Sequence, residues 1–449
     1  MRRALALAVG LVLADSSIVV LALPEMYREL DTSVSAVTWV LISFNLVMAL
    51  TAAPAALAAR RVGPGRAAAV GLAVFAGASL ACGLAAELNT LIAARCVQAV
   101  GGAMAVTAAL ELMPSATGSE RSAATAWAAA GATGAALGPG VGGVLTELVS
   151  WQSIFLFQVP VAIGAGIPLL GAARAESSRT TVEQELRATG RPHLAANLAL
   201  ALISAAIAAA LFLVVLLLIE GWRLTPITAA VVVSATPLAA LAGSRLTPLV
   251  PSAKARAAAG TIFVCGGLAG LGLLPAANVA LTIPPQLLAG LGLALVLSAL
   301  TETALAGRAP QAIHGGWTIS ARHAGVVVGL LTLTPVFTAD IAEQRREAVD
   351  AGTAVILDSR VDPFLKLDLA ERLSERLEEE RGRVPVVEPI FEPLPGSPGE
   401  REAVEEARDD LQDQIDRGAT HAFSPSFLIA AAFGLLALLP IGLARRVEL

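Results

Sequence analysis

Charged residues are scarce in this chain. Asp, Glu, Lys and Arg make up only 15% of its 449 residues, whereas 56% are hydrophobic, and the mean hydropathy is +0.72. A soluble globular protein carries about a quarter charged residues. The composition therefore excludes an ordinary soluble domain and predicts an integral membrane protein.

Cysteine is also rare. Cys82, Cys96 and Cys265 all lie in apolar stretches, without paired spacing or a nearby histidine cluster. This pattern indicates small buried hydrophobic residues and excludes a disulfide framework or a metal site built on cysteine. The sequence also lacks a nucleophile–base set and a glycine loop that would cradle phosphate. We therefore expect no enzyme activity, no cofactor or metal, and no nucleic-acid partner.

Long apolar runs occur twelve times along the chain. A hydrocarbon core of about 30 Å is crossed by about 20 helical residues, and runs of this length do not fit barrel strands. We expect the first run to be retained, because no small-residue cleavage site follows it. The fold class predicted is an all-α polytopic membrane protein with twelve transmembrane helices in two six-helix bundles. The runs are 4–23, 36–59, 67–86, 90–113, 122–147, 152–171, 194–219, 226–249, 257–276, 281–305, 316–338 and 425–444.

Positive charge is distributed unevenly between the two sets of loops. With the N-terminus inside, the inner loops hold sixteen Lys and Arg, whereas the short outer loops hold only Arg28 and Arg223. Basic loops stay on the cytoplasmic side of a membrane. The chain is therefore predicted to be a multi-pass protein of the plasma (cytoplasmic) membrane with both termini in the cytoplasm.

The runs divide into two sets of six with the same orientation. Such an arrangement predicts a parallel repeat about an axis along the membrane normal, as in many transporters. The predicted organisation is an N-terminal bundle at 1–172, a cytoplasmic linker at 173–193, helices seven to eleven at 194–338, an acidic insert at 339–423, and the twelfth helix and tail at 424–449.

The insert at 339–423 differs from the rest of the chain. It contains twenty-two Asp and Glu against eleven Lys and Arg. Two stretches have helical spacing of apolar residues, and a proline-rich stretch separates them. The topology predicts that the insert is extracytoplasmic. We interpret it as a solvated helical hairpin, and the alternative is a docking surface for an extracytoplasmic partner or for substrate.

Ionisable residues inside the apolar runs are the first functional candidates. Insertion of a charge into a membrane costs about 2.5–3.5 kcal/mol, so such a residue usually lines a cavity or pairs with another charge. Asp15 lies about 16 Å into the first helix, near mid-bilayer. Arg95 lies in the outer half of the fourth helix, with Gln98 one turn later. A purely structural ion pair is the alternative to a functional role.

Other polar residues of the runs are weaker candidates. Glu111 and Glu302 lie near the inner ends of the fourth and tenth helices, and Arg322 lies beside His323 in the eleventh. Asn45 and Gln158 are interpreted as uncharged residues that hydrogen-bond between helices. His323 fits an ordinary interfacial histidine as well as a functional one.

The fifth helix is rich in glycine. Its stretch "GATGAALGPGVGGVL" contains Gly131, Gly134, Gly138, Pro139, Gly140, Gly142 and Gly143. In a membrane, glycine allows two helices to approach closely and proline bends a helix. The regular spacing predicts a tight, bent helix–helix contact. Ordinary packing of small residues is the alternative.

Several of these motifs resemble those of the major facilitator superfamily, and of its drug/proton antiporter branch in particular. In the first helix, "LADSSIVVLALP" is similar to a motif of that branch, although Val20 stands where Asn is usual. "RCVQAVGGA" resembles the fourth-helix motif, with Ala99 in place of Gly. The motif that matches the antiporters most specifically comprises Gly134, Gly138, Pro139, Gly142 and Gly143. Trp39, "WQSIFLFQVP" and "SARHAGVVVG" resemble the second, sixth and eleventh helices.

The loop between the second and third helices departs from the family pattern. The family usually has an acidic residue followed by basic ones, whereas this loop has Arg60, Arg61, Gly63 and Arg66 without an acid. The resemblance implies that this loop holds one conformation, so its coupling to transport is expected to be altered. The two additional central helices of the fourteen-helix antiporters are absent.

The resemblance implies a function and a cavity. The first, fourth, seventh and tenth helices would line a largely apolar cavity, which includes Asp15, Arg95, Gln98, Glu111 and Glu302. Burial favours the neutral form of a carboxyl group, whereas a nearby guanidinium favours the charged form. Movement of Arg95 would therefore change the proton affinity of Asp15.

The function that follows is efflux of a lipophilic or drug-like molecule by alternating access. The proton gradient would supply the energy, and the partners would be the lipid bilayer, protons and the small-molecule substrate. One alternative is proton-linked or facilitated uptake of a small organic solute. The other is a membrane receptor or scaffold that does not transport.

Overall fold

The computed structural model describes residues 1–177, 191–358, 361–362, 366–369, 371–372, 388–391 and 398–443. Twelve helices of these residues are long and apolar enough to cross a membrane. We call them spans 1 to 12: Arg2–Val20, Val34–Val62, Pro64–Gly83, Leu88–Thr117, Ser122–Leu148, Ser153–Arg174, Leu194–Gly221, Pro226–Leu249, Ala253–Gly272, Val279–Leu305, Gln311–Ala339 and Arg401–Leu443. Each predicted apolar run falls on one of these helices, which confirms the predicted fold class.

Some spans contain breaks in their helical hydrogen bonding. Span 7 ends in a π-helical turn at Leu217–Gly221, and span 8 consists of Pro226–Val233, Ala235–Gly243 and a 3₁₀ turn at Ser244–Leu249. Span 12 combines three helices, Pro398–Ala422, Ser424–Leu436 and Leu438–Leu443. A short helix at Leu23–Glu29 and a 3₁₀ turn at Glu388–Phe391 lie outside the spans.

Local sequence explains where the spans begin and end. Gly63 has φ of 97° and connects span 2 to span 3, a conformation that glycine adopts without steric cost. Pro64 begins span 3, where its missing N–H is not needed. Gly118 ends span 4 with φ of 85°, and Ser119 accepts a hydrogen bond from Ser122 N to start the next helix.

Glycine crossings in both halves show the same packing. A Cβ at Gly101 of span 4 would lie 2.6 Å from the carbonyl oxygen of Gly71 on span 3. A Cβ at Gly292 of span 10 would lie 2.5 Å from the carbonyl oxygen of Gly260 on span 9. Spans 3 and 4 thus approach each other as spans 9 and 10 do, which fits the predicted parallel repeat.

Span 5 packs on span 1 through glycines spaced four residues apart. Added Cβ atoms at Gly134 and Gly142 would lie 2.1 Å from Gly10 O and 2.4 Å from Ile18 O. The corresponding contact of the second half is between span 11 and span 7. There a Cβ at Gly325 would lie 2.0 Å from Ala201 O. Only glycine permits helix backbones to approach this closely.

The two halves contact each other along the whole depth of the bundle. At the end that carries Met1, a Cβ at Gly316 of span 11 would lie 3.0 Å from Ala52 O of span 2. At mid-depth, His323 Nδ1 lies 2.7 Å from Asn45 Oδ1. At the opposite end, Arg28 pairs with Glu220, and Ile227 N donates to Glu147 Oε2 at 2.7 Å.

The helix of span 11 continues beyond the apolar run as Gln311–Asp358 and packs against the helix Pro398–Ala422. A separate small core supports this pairing, formed by Val361, Leu369, Ile390, Phe391, Val404, Ala407, Leu411 and Ile415. Trp222 Nε1 donates to Thr420 Oγ1 at 2.9 Å, which ties the helix to the loop after span 7. The predicted linker at 173–193 and the proline-rich part of the insert lie largely outside the described residues.

Candidate functional site

Asp15 and Arg95 form an ion pair inside the N-terminal half. Asp15 Oδ2 on span 1 lies 2.7 Å from Arg95 Nη1 on span 4, and both side chains are fully buried. A buried charge without a partner is strongly destabilising. The guanidinium therefore explains how an apolar helix accommodates a carboxylate at mid-depth.

Arg95 is fixed by three further contacts. Its Nε donates to the carbonyl oxygen of Val40 at 3.1 Å, and its Nη1 donates to Gln98 Oε1 at 2.6 Å. The guanidinium carbon lies 4.1 Å from the centre of the Phe44 ring, a distance at which the ring face attracts a cation. Span 2 thus supplies both a carbonyl and an aromatic face to the arginine.

Two glutamines surround Asp15. Gln158 Nε2 on span 6 donates to Asp15 Oδ1 at 3.0 Å, and Gln98 Nε2 lies 3.4 Å from the same oxygen. Gln98 Nε2 also lies 2.9 Å from Gln158 Oε1 and 2.8 Å from Ser79 Oγ on span 3. We call Asp15, Arg95, Gln98, Gln158 and Ser79 the polar cluster. The polar cluster comes from spans 1, 3, 4 and 6, and span 2 contacts it through Val40 and Phe44.

Two residues of the polar cluster, Gln158 and Ser79, were not predicted as partners of Asp15 and Arg95. Gln158 was interpreted as interhelical hydrogen bonding, and the structure places it directly on Asp15. Ser79 was not predicted. Its Oγ also donates to Phe75 O of its own helix at 2.7 Å, as serines in helices commonly do, so its type and spacing carry no distinguishing signal.

The ion pair retains unused hydrogen-bonding capacity. Asp15 Oδ2 and Arg95 Nη2 are buried and have no hydrogen-bond partner among the residues that the structure describes. Most buried polar atoms have such a partner, so exceptions call for a reason. Oδ2 of Asp15 is held by its charge contact with Arg95 Nη1, whereas Oδ1 accepts the hydrogen bond from Gln158.

Glu111 and Glu302 lie elsewhere. Glu111 is 13 residues after Gln98 on the same helix, about 20 Å away, and its Oε1 lies 3.7 Å from Arg60 Nε. Glu302 Oε2 lies 2.5 Å from Arg256 Nη2, and the Glu302 side chain is 59% exposed. Both carboxylates were predicted to line the cavity with Asp15, but the structure places them in ion pairs near the Met1 end of the bundle.

The loop between spans 2 and 3 has no acidic residue, and Arg60 pairs with an acid from another helix. Arg60 lies in the last turn of span 2, whereas Arg61 and Arg66 are exposed on either side of Gly63. The loop has no acid of its own, and its first arginine is paired with Glu111 of span 4 instead. The contact joins the loop to the helix that carries Arg95.

The glycine motif of span 5 lies next to Asp15. A Cβ at Gly138 would lie 2.0 Å from Ser17 Oγ, and this hydroxyl donates to Ala14 O at 2.8 Å. On another face of the span, a Cβ at Gly143 would lie 2.6 Å from Pro226 O of span 8. Pro139 is buried within the same helix. Span 5 therefore lies between the helix of Asp15 and the other half of the molecule.

Two halves of six membrane-spanning helices form a polytopic fold of the kind used by membrane transporters. The family model of the Major Facilitator Superfamily matches residues 5–334. The chain therefore belongs to this superfamily of membrane transporters, which are not enzymes. This result confirms the family resemblance of the sequence motifs.

Curated relatives include several resistance proteins. The chain is 36% identical over 184 residues to the methylenomycin A resistance protein of Bacillus subtilis, covering 39% of this chain and 40% of that one. It is 36% identical over 259 residues to the protein of the same name from Streptomyces coelicolor (55% and 51%). It is 33% identical over 179 residues to the tetracenomycin C resistance and export protein of Streptomyces glaucescens (38% and 33%). The chain spans between a third and about half of the length of these relatives.

Solved structures share the fold over nearly the whole chain. A bacterial homologue of the human lysosomal transporter Spinster, in an inward-facing and occupied conformation, superposes with a TM-score of 0.65 at 15% identity, covering 97% of this chain and 96% of that one. The same homologue in an unoccupied conformation gives a TM-score of 0.62 at 16% identity, covering 98% and 96%. At this identity the likeness concerns the fold alone.

Proposed function

We propose that this protein exports a lipophilic or drug-like small molecule in exchange for protons, by alternating access. The buried pair of Asp15 and Arg95 is the observation that carries the proposal. It is a titratable group held in the interior of a membrane protein, where such residues mark ion and proton pathways.

The relatives support export rather than uptake. Two of them are named as resistance proteins for methylenomycin A, and a third is named for resistance to and export of tetracenomycin C. The glycine motif of span 5, which resembles that of drug/proton antiporters, supports the same direction.

The contacts of the polar cluster suggest how a proton would act. Protonation of Asp15 at Oδ2 removes the charge that attracts Arg95 Nη1. Arg95 would then be held by Val40 O, Gln98 and the Phe44 ring, which belong to spans 2 and 4. Span 1 would therefore lose its charge attraction to span 4, and the close contact of Gly138 with Ser17 would transmit its movement to span 5.

Asp15→Asn tests the proposal. The amide keeps the shape of the side chain but fixes a neutral state. We expect purified Asp15→Asn in proteoliposomes to exchange a fluorescent substrate dye across the membrane, but not to accumulate it against its gradient when a pH gradient is applied. Flux is normalised to the amount of folded protein, and the direction of accumulation separates export from uptake.

Asp31→Asn is the matched control. Asp31 is exposed in the turn after the helix Leu23–Glu29, and Asn accepts its positive φ of 45°. We expect this variant to show the flux of the unmodified protein. A normal gradient-driven flux from Asp15→Asn would rule out the coupling role.

We also propose that the protein lies in the cytoplasmic membrane with both termini in the cytoplasm. The excess of Lys and Arg at the Met1 end supports this orientation. Cysteines introduced at Glu405 and at Arg245, which are exposed at opposite ends of the bundle, provide the test in a chain whose three native cysteines are replaced by alanine. An impermeant maleimide should label the first in intact cells and the second only after permeabilisation. The reverse pattern would overturn the orientation.

A further inference from the structure

Arg322 lies on the inward face of span 11. Trp317, Val328 and Leu331 of this helix are 47%, 47% and 46% exposed, and at 100° per residue they lie on one side. Arg322 lies on the other side, in line with buried Gly325. The guanidinium is therefore directed toward the interior of the bundle and away from lipid.

The depth of Arg322 follows from its neighbour. His323 Nδ1 donates to Asn45 Oδ1 at 2.7 Å, and Asn45 Nδ2 lies 3.4 Å from Ser16 Oγ on span 1. Ser16 is adjacent to Asp15 in the sequence. Arg322 therefore lies at about the same level of the bundle as Asn45 and Ser16, next to the polar cluster.

Arg322 has no counterion among the residues that the structure describes. No hydrogen bond or ion pair of its side chain is formed within them, although the side chain is only partly exposed. The acidic residues whose side chains are described in the apolar parts of the spans are all engaged elsewhere: Asp15 with Arg95, Glu111 with Arg60, Glu302 with Arg256, Glu147 with Ile227 N, and Glu220 with Arg28. Among the side chains that the structure describes in the spans, Arg322 is therefore a cation without an acidic partner.

A second polar atom without a partner lies on the facing helix. Asn197 Oδ1 of span 7 is buried and has no hydrogen-bond partner in the described part of the chain. The contact between Gly325 and Ala201 sets the register of the two helices. Asn197 is one turn before Ala201 and Arg322 is one turn before Gly325. Both polar side chains therefore occupy the same layer between spans 7 and 11.

We propose that Arg322 binds the acidic group of the transported molecule, so that the substrate class is a lipophilic weak acid bearing a carboxylate or phenolate. A guanidinium presents a planar fork of donors that matches a carboxylate. The Oδ1 atom of Asn197 can accept a hydrogen bond from the guanidinium and so orient it. Because Arg322 is partly exposed, an anion can reach its guanidinium and compensate its charge. This assignment rests on the proposal that the protein is a transporter.

Two dyes with the same xanthene scaffold and opposite charge provide the probe. Fluorescein is anionic, whereas rhodamine 123 is cationic, and fluorescence anisotropy reports their binding to the purified full-length chain in detergent. The variants are Arg322→Gln, Arg322→Lys and Arg245→Gln. The last removes one positive charge from an exposed position of span 8 and is the matched control.

The unmodified protein should bind fluorescein more tightly than rhodamine 123. We expect Arg322→Gln to weaken fluorescein binding at least tenfold, which is about 1.4 kcal/mol, and to leave rhodamine 123 binding unweakened. Arg322→Lys should retain part of the affinity because it keeps the charge, and Arg245→Gln should retain all of it. Thermal unfolding of each sample shows whether the variant is folded.

Two results would overturn the assignment. One is fluorescein binding by Arg322→Gln at the affinity of the unmodified protein. The other is an equal loss of both dyes, which would mean that Arg322 supports the structure without recognising charge. Because this assay measures binding and not flux, failure of the Asp15 experiment leaves it standing. If the protein transports under a pH gradient but Arg322→Gln binds fluorescein normally, this inference is wrong and the proposed function still stands.

Discussion

The two halves of the molecule share their backbone packing and differ in their buried polar groups. Arg95 is the eighth residue of span 4, and Gln286 is the eighth residue of span 10. Arg95 contacts Asp15 at 2.7 Å, whereas Gln286 Nε2 donates to Thr282 Oγ1 at 3.1 Å and its Oε1 lies 3.4 Å from Thr236 Oγ1. The N-terminal half has an ion pair where the C-terminal half has neutral hydrogen bonds.

The helix packing is therefore common to both halves, whereas the buried ion pair belongs to the N-terminal half alone. The N-terminal half has a close helix crossing at Gly71 and Gly101, and the C-terminal half has one at Gly260 and Gly292. Both crossings require glycine because there is no room for a side chain. The fully buried pair of Asp15 and Arg95 is not duplicated, because each buried charge destabilises the fold unless it is compensated. A repeat can therefore provide two equivalent bundles while a buried ion pair is confined to one.

Arg95→Gln should show the largest effect. It leaves Asp15 as an uncompensated buried charge, for which the cost is about 3–5 kcal/mol. Gln286→Leu at the corresponding position removes neutral hydrogen bonds, each worth about 1 kcal/mol. Thermal unfolding in detergent and the yield of monodisperse protein measure both. We expect a severe loss for Arg95→Gln and a small one for Gln286→Leu.

The double variant Asp15→Asn/Arg95→Gln sharpens this test. It removes both charges and leaves an amide pair, so most of the lost stability should return. Gradient-driven flux should not return with it if Asp15 couples protons. Recovery of stability and flux together would show that the pair is structural only.

Gly138→Leu should have the next largest effect. An added Cβ would lie 2.0 Å from Ser17 Oγ, whereas nothing lies within 4 Å of a Cβ at Gly140 on the same helix. We expect Gly138→Leu to reach the membrane but to lose transport, because the side chain separates span 5 from span 1. Gly140→Leu should keep more than half of the flux. Similar flux in both variants would show that the contact with span 1 does not matter for movement.

Glu302→Gln should have the smallest effect. Its ion pair with Arg256 is largely exposed, and exposed ion pairs contribute about 0–1 kcal/mol. Flux should change less than twofold. Glu111→Gln should have a larger effect, because its side chain is only 19% exposed and its partner Arg60 is 9% exposed. A tenfold loss from Glu302→Gln would restore the cavity role that the sequence predicted for it.

The sequence predicted the spans well because hydropathy and length alone determine them. The run 194–219 becomes Leu194–Gly221, and the run 226–249 becomes Pro226–Leu249. Hydropathy does not report where a helix stops when its sequence turns polar. The continuation of span 11 to Asp358 was therefore not predicted, whereas the helical spacing of apolar residues in the insert did predict a helix where Pro398–Ala422 lies.

The candidate site was predicted in part. A charge in an apolar run is visible in any sequence, which is why Asp15 and Arg95 were found. The position of Glu111 near the inner end of its helix was visible in the sequence, and the family resemblance grouped it with Asp15 as a residue of the cavity. Its pairing with Arg60 depends on the rotation of two helices, which the sequence does not show. Ser79 and the Val40 carbonyl carry no sequence signal because serine and backbone are present everywhere.

The continuous helix Gln311–Asp358 has a mechanical consequence. Its 48 residues extend about 72 Å, against a hydrocarbon core of about 30 Å. The part after Ala339 is about 28 Å long, so each degree by which span 11 tilts displaces its tip by about 0.5 Å. A tilt of span 11 relative to the other half would therefore appear as a displacement at the end of this extension. Distance measurements from the end of this extension would report the angle between the two halves without any label in the membrane.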